Sequence, residues 1–244
     1  MLAQDGNFDG SGVDERQVIV IDAEGNGAVY TGTKAAAGVW GAQTSMGASP
    51  GDSCSVAGNG LASDAVLNAM VETFRTADRK RPLGDRPMAS LRAGERAGGQ
   101  RNGRMSAALR VSTVAGDWQD IDLRVDGSAD PVGDLSRLTD QFYAHQAMLR
   151  AERAARSNDV EAARAARSQA LGLSHQWDRI WRRAARLAMQ LGEYDKALEY
   201  LGVFASINPV WAGGEIEDAL YAPLRAEPAF ARLRADIASK VPGG

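Results

Sequence analysis

The sequence predicts an α+β layered domain followed by an all-α helical module, and three observations carry that prediction. Aromatic, β-branched and glycine-rich stretches lie before about Pro131, whereas alanine, arginine and leucine dominate after it. The first part reads as three strands, two helices and two strands, with the helices grouped, an order that argues for an α+β arrangement over an alternating dinucleotide-binding fold. The second part repeats itself at an offset of 34 residues, Asn158 to Ala163 lying over Gly192 to Ala197 and Trp177 over Trp211.

In the first part, Gln17 to Asp22 reads as a buried strand because Val18-Ile19-Val20-Ile21 are all β-branched, and Glu24-Gly25-Asn26-Gly27 supplies a turn tolerant of positive φ. Ala28 to Thr31 returns as its partner. Ser53 to Ala57 forms a third short strand, and after Gly58-Asn59-Gly60 a helix runs from about Ala62 to Thr76, where Val66, Met70 and Phe74 recur at helical spacing. A second helix spans Arg86 to Ala97. Met105 to Ser112 and Trp118 to Val125 pair through the turn Val114 to Asp117, and Asp130-Pro131 then opens the helical half.

In that half the second copy of the repeat is similar to a tetratricopeptide repeat, through Trp181, Gly192, Tyr194, Ala197, Phe204, Ala205 and Pro209. Small alanines let two helices approach, glycine or asparagine permits the turn, and proline ends the hairpin. The first copy lacks the aromatic, the glycine and the proline and reads as degenerate; Leu220 to Ala238 resembles the helices that cap such arrays. The resemblance implies protein contact through the concave face, against the alternative of a plain helical bundle. Nine arginines between Arg150 and Arg186 make the module locally basic, but Glu152, Asp159, Glu161 and Asp178 among them predict ion pairs at i,i+3 and i,i+4 spacing and no nucleic-acid face.

Composition bounds the chemistry. The 244 residues, 44% hydrophobic and 24% charged with a net charge of −3, are those of a globular chain with no general reason to bind nucleic acid. Cys54 stands alone, which excludes an intramolecular disulfide and a cysteine-built zinc site. No apolar run approaches the roughly 20 residues of a membrane span, and Met1 to Gly12 lack the basic start and apolar core of a secretory signal, so a cytoplasmic protein is expected if Met1 is the true start.

Asp5-x-Asn7-x-Asp9-Gly10 opens like a calcium loop, but the twelfth position is Arg16 and the match becomes a polar surface loop. Gly25-x-Gly27 is followed by strand-forming residues and is a hairpin turn. Gly58-Asn59-Gly60 sits between strand and helix, where free backbone N–H groups and the Asn59 amide could face an anion or an oxyanion; a sharp turn needs the same glycines. His145 and His175, the two histidines, lie in the helical half, so no histidine triad or histidine metal site is supported, and Cys54 reads as a packing residue. Asp120, Asp122, Asp126 and Asp130 form either a cation or substrate face or a solvated edge. No metal and no cofactor is expected.

Several stretches in order resemble the bacterial and archaeal family catalogued as domain of unknown function 1028: Arg16-Gln17-Val18 with Val20-Ile21-Asp22, Tyr30-Thr31-Gly32, Val56 with Gly58-Asn59, Ala93-Gly94-Glu95 with Ala97-Gly98-Gly99, Arg101 with Gly103-Arg104, Ser106-Ala107-Ala108, and Ile121 to Asp126 with Asp130-Pro131-Val132. The resemblance covers residues 16 to 140. It implies an N-terminal-nucleophile hydrolase-like architecture, an αββα sandwich that hydrolyses an amide bond with a residue at the mature N-terminus. The match begins in the family's middle, so the sandwich is partial and the nucleophile-bearing strand is absent; Leu2 disfavours removal of Met1, and this chain is expected to be inactive on its own. Met105 and Ser128 stand where relatives are expected to carry glutamine and histidine.

The expected organisation is therefore a flexible polar segment over 1–15, a hydrolase-like domain over 16–140 and tetratricopeptide-like repeats with capping helices over 141–240. By resemblance, Asn59 with Gly58, and then Arg101, Arg104 and Ser106, are the candidate substrate or oxyanion contacts, with no catalytic nucleophile identified. A protein partner for the repeats and a homodimer through an unpaired sheet edge are the expected associations. The alternative is a non-catalytic scaffold acting through its helices.

Overall fold

The computed structural model describes residues 10, 12–39, 41–47, 53–114, 116 and 120–241, and the chain divides into two compact units, Met1–Ser136 and Arg137–Gly244. The calcium-like loop from Asp5 and part of the turn and strand expected over 114–120 lie outside the described residues.

The first unit is mixed α+β. Its strands form three antiparallel pairs: β1 (Gln17–Ile21) with β2 (Gly27–Thr31), β3 (Gln43–Gly47) with β4 (Cys54–Gly58), and β5 (Ala107–Val111) with β6 (Ile121–Val125). A short helix α1 (Thr33–Ala37) precedes β3, and helices α2 (Ala65–Thr76) and α3 (Asp85–Arg96) separate β4 from β5. The β3–β4 pair lies between the β1–β2 hairpin and α2. Alternation along β4 aims Cys54 and Val56 at Leu67 and Val71 of α2, with Met70 and Phe74 packed beside them. Gly94 of α3 leaves room for the Met70 side chain, since a Cβ there would stand 2.7 Å from Met70 Cγ. Ser90 Oγ donates to the Met70 carbonyl at 2.6 Å, and the Arg86 guanidinium lies 4.0 Å from the centre of the Phe74 ring.

Three expectations are corrected in this unit. β1 is not buried: Ile19, Val20 and Ile21 are 44%, 45% and 49% exposed, because β-branched residues record a preference for extended backbone, whereas burial needs other elements packed over the strand's faces. The partner of β4 is β3, whose Gln-Thr-Ser-Met-Gly sequence carries no strand signal of its own. Val13–Glu15, expected within a flexible segment, forms a 3₁₀ turn held by Lys34 against Asp14 at 3.0 Å and by the Tyr30 hydroxyl, which donates to the Val13 carbonyl.

The second unit is helical. Helix α4 (Pro131–Arg156) begins in the first unit and continues into it, followed by α5 (Val160–Gly172), α6 (Asp178–Gln190), α7 (Tyr194–Ile207), α8 (Pro209–Glu215), a 3₁₀ turn at Ala219–Leu224 and α9 (Pro228–Lys240). The 34-residue offset recurs in the backbone. Asn158 (φ 59°) and Gly192 (φ 72°) both take the left-handed conformation, and the N–H groups of Asp159 and Glu193 close the preceding helices on the carbonyls of Ala154 and Ala188 at 2.9 Å. Asparagine tolerates this conformation where other side chains do not, so it stands in for the glycine of the second copy. Ala147, Ala151, Ala170, Ala184, Ala188, Ala197 and Ala205 are buried, which brings helix axes close around Phe204, Leu201 and Ile180. Asn208 ends α7 and its side chain accepts from Trp211 N–H, so Pro209 is a first-turn residue of α8 as well as the stop of α7.

The arginines pair mainly between helices and not along them. Arg183 grips Glu152 with two nitrogens at 2.7 and 2.8 Å, Arg164 and Arg167 share Glu193, and Arg182 and Arg186 share Glu215, which also accepts from the buried Tyr221 hydroxyl. The i,i+3 pair Arg164–Glu161 follows the expected pattern. The reason is reach: a guanidinium on one helix finds the acid of the next at about one repeat's separation, where both are partly desolvated.

Burial pushes the Glu193 carboxyl up, but hydrogen bonds from Arg164 and Arg167 outweigh it and hold it below the ordinary 4.5. A depressed folded-state value means that its contribution is present above that pH and is lost as the pH falls through the folded value. Glu193→Gln, which strands the buried Arg167, is expected to cost about 3 kcal/mol at neutral pH in chemical denaturation. The difference from the wild type should shrink as the wild type is acidified below its carboxylate range.

Candidate functional site

Two glycine loops of the first unit build one cleft. The first leaves β4 through Gly58-Asn59-Gly60; the second leaves α3 through Gly98 and Gly99 and runs to Ser106. Main-chain hydrogen bonds lace them together, from Arg101 N–H to Gly60 O at 2.7 Å and from Ala62 N–H to Gly99 O at 2.9 Å. Gly60, Gly98 and Gly99 all have positive φ, and a Cβ on Gly98 would stand 2.7 Å from the Ala62 Cβ, so the close approach requires glycine. Beneath the laced loops is a cleft of about 320 Å³ with an apolar floor from Leu61, Val66 and Met70 and a polar rim from Glu95, Gln100, Arg104 and Ser106.

The structure brings the sequence-predicted residues to this end of the unit in different degrees. Arg104 and Ser106 line the cleft, with the Arg104 guanidinium 2.8 Å from Glu95 and 3.9 Å from Asp130. Asn59 and Arg101 are exposed and flank the laced bond, Arg101 by donating it and Asn59 as the neighbour of Gly60. Gly58 underlies the Leu61 side chain and its carbonyl accepts from Gln17 Nε2 at 3.3 Å. The helix does not start at Ala62 as expected: α2 begins at Ala65 with Asp64 at its N-cap, and the Ala62 N–H is engaged by Gly99. A carboxylate at that helix end opposes an anion there.

Glu95 is a candidate that no local sequence signal marks, because its value lies in a partner nine positions along the chain and beyond three glycines; its place in the Ala93-Gly94-Glu95 stretch is the available signal. Ser128 N–H donates to the Met105 carbonyl at 3.0 Å, so these two residues adjoin. The Ser128 hydroxyl donates to Asp134 at 2.6 Å and accepts from Asp130 N–H, organising the start of α4. The acids of β6 and its exits are engaged: Asp120 accepts from Thr113 N–H, Asp122 stands opposite Arg110, Asp126 holds Arg124 and Asp130 accepts from Gly133 N–H. This supports the solvated edge. Cys54 is buried against α2, and no group of three metal-ligating side chains occurs among the described residues.

The second unit holds a cleft of about 330 Å³ lined by His145, Trp177, Arg179, Ile180, Arg182, Arg183 and Trp211. Arg179 and Arg182 lie 5.7 and 5.0 Å from the Trp211 ring centre, and Trp177 tilts against His145 at 6.2 Å. Burial, then the Arg183 charge, pushes the His145 imidazolium pKa below 6.5, so the ring is neutral at pH 7. The other histidine, His175, binds Asp140 at 2.8 Å. The repeat alignment had placed Trp177 over Trp211 without showing that both face one cleft. No described helix is long and apolar enough to cross a membrane.

Comparison with known proteins gives two matches. A family of unknown function, DUF1028, matches over residues 4–135. A crystal structure of a Silicibacter pomeroyi protein of the same family is 32% identical over 57% of this chain and 54% of that one, with a TM-score of 0.42, so the match spans about half of that protein's length. No curated protein matches.

Because Gly98 both carries φ +117° and touches Ala62, Gly98→Ala is expected to unlace the two loops. The loss should be about 1–3 kcal/mol in thermal or chemical denaturation, with amide exchange at Ala62 and Arg101 accelerated before exchange in α2 changes.

Proposed function

The chain belongs to the DUF1028 family of unknown function, and from that membership and the cleft we propose a ligand-binding, hydrolase-like first unit joined to a protein-interaction module. The first unit is read as a partial αββα sandwich of the N-terminal-nucleophile type, for which the hairpin β1–β2, the pair β3–β4 and the helix layer α2–α3 are the supporting layers. Its ligand is an amide-bearing molecule with a carboxylate. The observation that carries this is the lacing of the two glycine loops over an apolar-floored cleft lined by Arg104 and Ser106, with the exposed Asn59 and Arg101 on the laced segments beside it. Arginine donors suit a carboxylate, the Asn59 amide a carbonyl, and the floor an acyl chain.

Amide hydrolysis needs a nucleophile with a base beside it. On this reading the first unit binds its ligand without cleaving it: among its described residues Cys54 is buried and no histidine stands by to activate Ser106. Calorimetric titration with short N-acyl peptides bearing a free carboxylate should detect saturable binding, weakened about tenfold by Arg104→Ala, which is the loss of about one charge-assisted hydrogen bond. Mass spectrometry of the same mixtures should find the amide intact. Absence of saturable binding removes the cleft as a ligand site, and cleavage removes the non-catalytic reading.

The second unit is read as tetratricopeptide-like on the 34-residue recurrence of turn conformation and helix closure. Its arginines and tryptophans suit an acidic peptide, and because most of the arginines already hold carboxylates, a phosphate lattice is a poor partner. Trp177 and Trp211 fluorescence should change on titration with aspartate- and glutamate-rich peptides, and Arg179→Ala should reduce the affinity several-fold, about 1 kcal/mol. An unchanged signal would leave the module a plain helical bundle.

A further inference from the structure

Independently of that reading, the geometry of β1 points to a second copy of this chain. Ile19, Val20 and Ile21 are consecutive and about half exposed, and among the described residues β1 pairs with β2 alone. The direction of its free hydrogen-bonding groups follows from the groups already engaged. Arg16 O accepts from Gly32 N–H at 2.9 Å and Asp22 N–H donates to Asn26 O at 3.0 Å, so the even-numbered residues from 16 to 22 turn their main-chain groups to β2. By the alternation of antiparallel pairing, Gln17, Ile19 and Ile21 present theirs to the open edge.

The run Arg16-Gln17-Val18-Ile19-Val20-Ile21-Asp22 is self-complementary when reversed. A two-fold axis at Ile19 sets Ile19 against Ile19 of the second copy, Val18 against Val20, Gln17 against Ile21 and Arg16 against Asp22. The outward-facing N–H and C=O groups of Gln17, Ile19 and Ile21 then meet in hydrogen-bonded pairs. Opposite charges stand across from each other at both ends, where directly opposed pairs stabilise antiparallel strands. Asp22 is held ionised, its carboxyl kept below the ordinary range by hydrogen bonds from the Asn26 side chain and main chain.

Three of the other described strands fit self-pairing less well: β5 and β6 carry Arg110, Asp122 and Arg124, and β3 is polar. Charges of that kind guard an edge, whereas Gln17–Ile21 contains no lysine, proline or other charge. We propose that two copies of this chain associate through β1, antiparallel about Ile19, to form a continuous four-stranded sheet in the order β2–β1–β1–β2.

The test uses the full chain in sedimentation velocity at micromolar concentrations, with circular dichroism verifying that each variant is folded. The wild type is expected to sediment as a dimer and Ile19→Lys as a monomer. Arg16→Asp and Asp22→Arg each set like charges opposite one another and should be monomeric, whereas an equimolar mixture of these two variants restores both opposite pairs and should dimerise. Should either charge variant fail to fold, mild oxidation decides the matter. Ile19→Cys should cross-link to its own counterpart, while Asp22→Cys, about 20 Å from its counterpart by strand rise, should not. A monomeric wild type, a dimer that survives Ile19→Lys, or an Ile19→Cys chain that fails to cross-link overturns the proposal.

Discussion

Two main-chain hydrogen bonds, Arg101 to Gly60 and Ala62 to Gly99, hold the functional end of the first unit together. They join a loop that leaves a strand to a loop that leaves a helix, and so fix the mouth of the cleft relative to its floor. The bonds form because Gly98 has no side chain to strike Ala62 and because Gly60 and Gly99 reach left-handed backbone at little cost. Everything polar at the rim then hangs on a main chain with little freedom. Arg104 is further braced by Glu95 at 2.8 Å, which limits the orientations of its guanidinium.

The helical unit meets a different constraint in a different way. Its core is rich in alanine, which allows close approach but supplies little area per residue; the larger share comes from Phe204, Tyr221, Leu201 and Ile180. Alanine-faced helices can also slide against one another. The interhelical arginine pairs oppose that: Glu193 with Arg164 and Arg167, and Glu215 with Arg182, Arg186 and Tyr221, each tie three or more groups at fixed geometry. The same arrangement leaves Arg179 stacked toward Trp211 with its charge facing the cleft.

Much of the helical unit could be read from local chemistry. The spacing of Asn158 and Gly192 foretold two turns of the same conformation, since both residue types tolerate positive φ, and Pro209 foretold a helix boundary. The β1–β2 and β5–β6 pairs were legible from β-branched runs around short turns. β3 was not, because a strand of glutamine, threonine, serine, methionine and glycine is specified by β4 and α2 packing against it rather than by its own propensity. Glu95 escaped notice for the same kind of reason: a carboxylate on a helix becomes part of a site only when a loop carries an arginine back to it.

The sequence by itself determined the division into a mixed first part and a helical second part, the 34-residue recurrence and the residues able to make the tight turns, because these depend on neighbours within a few positions. It also determined family membership, through many short stretches in order. Only the tertiary structure decided which helix answers each arginine, that Arg104 meets Glu95, and that Ile19, Val20 and Ile21 of β1 stay about half exposed. Those outcomes rest on contacts between residues far apart in the chain, and pairing partners and burial are properties of the assembled neighbours, not of the segment that shows them.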